Sequence, residues 1–146
     1  KHGIYSQEEI NARAEIHIEN YSTVITIEGK TMVDMIRHQI LPAVSGYAGE
    51  LCHRVAEKTT CGVSCQFEKD TAAKISSLTD ALADACAKLE AALSQVPADA
   101  LEAMVYSHET IIPCMTAARE TADQLETLTA SECWPFPVYS DLLFYV

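Results

Sequence analysis

"ISSLTDALADACAKLEAALSQVP", residues 75 to 97, decides the fold. Ile75, Leu78, Leu82, Ala85, Leu89, Ala92 and Val96 recur at alternating steps of three and four. That spacing sets one apolar stripe along a helix, the seam by which helices pair side by side. Pro97 ends the stripe, since it has no N–H for a helical hydrogen bond. Acidic residues follow at once, as the start of a new helix near Ala98 or Asp99 prefers. Leu101, Met104, His108, Ile111, Met115, Ala118, Ala122 and Leu125 then repeat the spacing, with Pro113 expected to bend this second helix. The short break at Pro97 makes the two an antiparallel hairpin spanning about residues 66–130.

Working backwards, Ser6 and Glu9 form an S-x-x-E capping box that opens a helix at about Gln7. Ile10, Ala14, Ile18, Tyr21, Val24, Ile25, Met32, Met35, Ile36 and Ile40 follow at mostly helical spacing. The β-branched run 22–27 weakens helix propensity locally and admits a strand, but the flanking period favours helix. Pro42 is expected to kink this rod. A continuation through about Lys58 turns Val44, Tyr47, Leu51 and Val55 inward, and residues 59–65 read as a loop. At 1.5 Å per residue, a rod of about 50 residues reaches roughly 75 Å and overshoots the hairpin. The expected fold is all-α: an elongated up-down-up bundle, one helical domain over 1–146, ending in an irregular apolar tail.

The bulk composition narrows the functions. The 146 residues carry a formal net charge of −11, which disfavours nucleic acid and anionic membrane as partners. No stretch reaches the ~18 apolar residues of a membrane span. The chain starts without an initiator methionine or an apolar leader, so it reads as processed or as a piece of a longer protein. Six cysteines, at 52, 61, 65, 86, 114 and 133, fit reduced cytosolic thiols better than a disulfide framework in a chain this core-rich.

Few patterns carry chemistry. Glu50 and His53 form an E-x-x-H, but a di-iron carboxylate bundle needs two such motifs, and a solvated helix face serves one equally well. Cys52, His53, Cys61 and Cys65 offer a zinc donor set at a spacing unlike a zinc knuckle. His108 sits on the apolar stripe of the last helix, where a core histidine with one partner outweighs a ligand or base. No phosphate loop, dinucleotide fingerprint or nucleophile elbow occurs, so no catalytic, cofactor or metal residue is assigned.

The tail is more informative. In "ASECWPFPVYSDLLFYV", residues 130–146, Pro135 and Pro137 force extended backbone on Trp134 and Phe136. These two, with Tyr139, Leu142, Leu143 and Phe144, need a surface outside the tail. Docking onto another domain or subunit and folding back over the bundle's own end are equally open.

Two blocks resemble the carboxyl-terminal region of type III glutamine synthetases. "ARAEIHIENYSTVITIEGKTMVDMIRHQILPAVSGY" (12–47) matches at Arg13, Glu15, Ile16, Glu19, Asn20 and Tyr21, then Ile27, Glu28, Thr31, Met32, Met35, Ile40, Leu41, Pro42, Ala43 and Tyr47. "IIPCMTAARETADQLETLTASECWPFPVYSDLLF" (111–144) matches at Pro113, Met115, Arg119, Ala122, Asp123, Leu125 and Glu126, closing on W-P-x-P-x-Y-x-x-L-L-F. Together they cover about half the chain, and Gly29 stands where the pattern has a small, helix-favouring residue. The resemblance implies the non-catalytic helical domain of a cytoplasmic, bacterial, oligomeric ligase of nitrogen metabolism. That enzyme joins ammonia to glutamate with ATP and magnesium or manganese. The nucleotide and metal sites belong to the upstream catalytic domain, so this portion alone is expected to be inactive. Its expected partners are that domain and neighbouring subunits. A stand-alone interaction module and a metal-binding bundle are the alternatives.

Overall fold

The computed structural model describes residues 5–137 and 139–144. Among them there is no strand, and the order is α1 (Gln7–Met35), a π-helical turn (Ile36–Ile40), α2 (Leu41–Thr60), α3 (Gln66–Leu93), α4 (Ala100–Tyr106), a second π-helical turn (Ser107–Ile111), α5 (Ile112–Leu128), a 3-10 turn (Ser131–Cys133) and α6 (Tyr139–Phe144). Three rods result: α1 running through to α2, then α3, then α4 running through to α5. The protein is all-α, an elongated up-down-up bundle containing an antiparallel hairpin.

The caps are those the chemistry calls for. The Ser6 hydroxyl accepts from the Glu9 N–H, and the Glu9 carboxylate accepts from the Ser6 N–H at 2.7 Å. Asp99 accepts from the N–H groups of Leu101 and Glu102, at 3.1 and 3.0 Å. At the end of α2, Val63 N–H donates to Lys58 C=O and Gly62 N–H to Thr59 C=O, a Schellman closure. Gly62 has φ of +72°, so glycine there costs nothing where a side chain would strain. The loop after α2 is short, and the Lys58 ammonium reaches across it to the Glu68 carboxylate on α3.

Neither proline ends its helix. Pro42 and Pro113 lie inside continuous helical rods, each one residue past the start of an α-helical segment and directly behind a π turn. Leu41 N–H donates to Ile36 C=O, and Ile112 N–H to Ser107 C=O, each five residues back. A proline within a rod leaves a carbonyl four residues back without its donor, and its ring crowds that carbonyl. The wider turn accommodates the ring without ending the helix.

The π turns also shift the phase of the buried face. In the first rod Ile36, Ile40, Val44 and Ala48 are buried at successive steps of four before Leu51. In the third, Ala103, Ser107 and Ile111 do the same before Ala118, Ala122 and Leu125. An uninterrupted α-helix alternates steps of three and four, so the extra residue of each π turn sets which side faces inward. This corrects the expected third-rod stripe: Leu101 and His108 are exposed, and Ala103 and Ser107 are buried. On the second rod the seam holds, with Ile75, Leu82 and Leu89 fully buried and Cys86 beside them. The core runs from Ile36 to Leu51 against this seam and Ala118–Leu125.

Gly29 has a packing role. It is buried on α1, and a Cβ there would lie 2.9 Å from a terminal methyl of Leu93 and 3.6 Å from Ile111. Its missing side chain lets α1 lie close to the end of α3 and to the second π turn. Helix α1 is continuous through this glycine and through the β-branched run. Before Ser22 the rod is mostly exposed: residues 5–21 are exposed except for half-buried Ile18, with Tyr21 still reaching His108 on the third rod.

Candidate docking surface

The tail divides in two. Trp134 and Phe136 are half-buried and pack against the bundle's core, their rings edge-to-face with centroids 6.3 Å apart. Extended backbone at Trp134, with ψ of 130°, follows from the prolines. Leu142 and Leu143 on α6 point outward, 70% and 56% exposed. The side chains of Tyr139 and Phe144 lie outside the described residues, as do Val138, Tyr145 and Val146. The first two tail aromatics thus fold back onto their own bundle, and two leucines remain available to a partner.

A larger apolar surface lies between the first and third rods. Ile27, Met32 and Met35 on α1 and Met115 on α5 line an open groove of about 420 Å³, bordered by Glu28 and Arg119. Higher on the same side, Tyr21, Met104, Val105 and His108 line a hollow of about 280 Å³. Tyr21, Glu28 and Met35 are seven residues apart, which keeps them on one stripe of α1. Ile10, Ala14 and Val24 belong to the same stripe by their spacing, and Ile10 and Val24 are exposed. Helix α1 therefore carries a buried line of small residues, Ser22 and Gly29, that leads into Ile36, and beside it a partly exposed apolar line. Sequence reading merged them into one face.

The candidate chemical groups do not converge. Glu50 lies near Arg54 at 3.8 Å and His53 near Glu57 at 3.3 Å, all exposed on α2, so the E-x-x-H is spent on its own helix face. Cys52 and Cys61 are exposed, and Cys65 is buried beside the Thr59 hydroxyl at 3.6 Å. Among the described residues no group of three or more His, Cys, Asp or Glu could hold a metal ion. All six cysteines are free. The exposed His108 ring meets the Tyr21 hydroxyl at 3.5 Å across the two rods.

One charged pair ties a π turn to the core. The Arg37 guanidinium donates two parallel bonds to Glu90, at 2.7 and 2.5 Å, and the carboxylate raises the Arg37 pKa. Both are half-exposed, so the pair fixes geometry more than it adds stability. Cys86, one turn before Glu90, has its thiol pKa raised by burial, with Arg37 acting against the shift. That thiol is a core side chain, not a nucleophile. No described helix is long and apolar enough to cross a membrane.

Sequence comparison gives this helical scaffold its class. The family model described as "Glutamine synthetase C-terminal domain" matches residues 1–59, the whole first rod. That match covers about two fifths of the chain, and similarity to glutamine synthetases extends over nearly all of it. It is 30% identical over 148 residues to a glutamine synthetase of Butyrivibrio fibrisolvens, across 99% of this chain and 21% of that protein. A type-3 glutamine synthetase of Dictyostelium discoideum is 26% identical, across 97% of this chain and 20% of its own length. A glutamine synthetase of Bacteroides fragilis (strain YCH46) is 25% identical with the same coverage. The chain thus spans about a fifth of the length of the curated relatives it matches.

Proposed function

We propose that this chain is the non-catalytic helical portion of a type III glutamine synthetase, which ligates ammonia to glutamate at the expense of ATP. Its work is to brace the catalytic portion and to hold subunits together. The observation that carries this reading is the match of nearly the whole chain to about a fifth of enzymes named glutamine synthetase. The structure adds physical sense, because the apolar surfaces lie along and between helices rather than around converging titratable groups. ATP and magnesium or manganese belong to the catalytic portion, as does a cytoplasmic setting for the homo-oligomer.

The test is deletion. Full-length enzyme lacking this region is expected to sediment as smaller species and to lose ligase activity, read as phosphate release. Adding the region back as a separate chain, itself without ATPase activity, is expected to restore the larger assembly. Unchanged sedimentation on deletion would rule the reading out.

A further inference from the structure

Docking onto another body and folding back were both open for the tail, and its first two aromatics pack against the bundle's own core. The groove between α1 and the third rod is open to solvent, with Met32 on its wall also touching the core. All four methionines of the chain lie on this side: Met32, Met35 and Met115 in the groove, Met104 in the hollow above. Methionine is unbranched and polarisable, and it moulds to irregular apolar shapes better than Leu or Ile. Around them stand Tyr21, Val24 and Val105, the two valines 41% and 43% exposed. The face continues onto the largely exposed first part of α1, where Ile10 is 49% exposed.

From this placement we infer that the methionine-lined face is the seat of the catalytic portion of the same polypeptide, which presents an apolar surface edged with basic residues. The inference rests on the functional reading above and adds where the contact is made. Two observations select the occupant. The relatives carry about four times as much chain again beyond the part matched here, so a large covalently attached body needs a seat. Tethering raises effective concentration to about millimolar, so an open groove suffices to hold it. Charge argues against a second copy: two chains of −11 would meet across a face bordered by Glu28 and Glu109, with Arg119 as counter-charge. A basic-rimmed partner answers both acids.

The test uses full-length enzyme and peroxide oxidation of its methionines, read by mass spectrometry. In the wild type, Met32, Met35, Met104 and Met115 are expected to oxidise about tenfold more slowly than in the double variant Val24→Glu, Val105→Glu, a factor that ~1.4 kcal/mol of docking supplies. Both valines are already partly exposed, so the variant keeps its helix content by circular dichroism. The Leu142→Glu, Leu143→Glu variant is expected to leave the protection intact. Equal oxidation in wild type and Val variant overturns the inference, and so does protection that disappears when subunits are dissociated by dilution, which would assign the face to a neighbouring copy. The deletion experiment separates the failures. If deletion abolishes assembly while the methionines oxidise freely, only the face is wrong. If deletion changes nothing, the functional reading falls as well.

Discussion

Replacing Gly62 by alanine should cost about 1 kcal/mol, because the left-handed backbone at φ +72° strains a side chain. Urea unfolding checks this, and the nearby space is open, so the loss comes from backbone alone. Ser107 should behave in the opposite way. It is fully buried in the second π turn, and among the described residues its hydroxyl has no hydrogen-bond partner. Ser107→Ala removes that uncompensated group and should raise stability by about 1 kcal/mol in the same measurement. Neither residue's significance was legible beforehand. Gly62 sat in an expected loop, but the φ that makes it indispensable is a tertiary fact. For Ser107, an unbroken α-helical count points its neighbour His108 inward instead.

The hairpin and the caps were readable from local chemistry, because Ser6, Glu9, Asp99 and the Ile75–Leu89 seam act within a few residues of themselves. The π turns were not, since sequence periodicity presumes one helical pitch. A trace existed: steps of four that run through Ile40-Leu41-Pro42 in the first rod and reach Ile111-Ile112-Pro113 in the third. Deleting exposed Gln39 should convert the first π turn to an α turn and rotate α1 by about 100° relative to α2. Ser22 and Gly29 would then leave their partners, and stability measured by thermal unfolding should fall by about 3 kcal/mol. No change would mean that the turn does not set the phase. The clasp between α2 and α3 supplies a second test. Hydrogen bonding from Lys58 holds the Glu68 carboxyl below its usual 4.5. A depressed folded value means the contribution is present above the unfolded pKa and lost as pH falls through the folded one. The melting difference between wild type and Glu68→Gln should therefore be full near neutral pH and disappear as pH falls below the usual carboxylate range.

At the scale of the molecule, the likeness to glutamine synthetase C-terminal regions was visible in Arg13–Tyr21, Ile27–Tyr47 and the W-P-x-P ending, whereas the partly exposed apolar face of α1 was not. Sequence reading pointed to the tail because aromatics crowd a chain end. It missed that face because the buried line beside it is made of small residues, and one linear pattern hides which is covered.

The largely exposed first part of α1 carries a thermodynamic consequence. A helix of fewer than ~15 residues is marginal in water unless something packs on it, because nucleation is costly and propagation gains little. Residues 7–21 have a capping box at one end and a packed rod at the other, but almost no burial between. Their backbone amides should exchange with deuterium orders of magnitude faster than those of Ile75, Leu82 and Leu89 in this chain, and should slow when a partner lies along them. That segment is then a helix–coil equilibrium on a fixed base, and part of the free energy of any docking goes into straightening it.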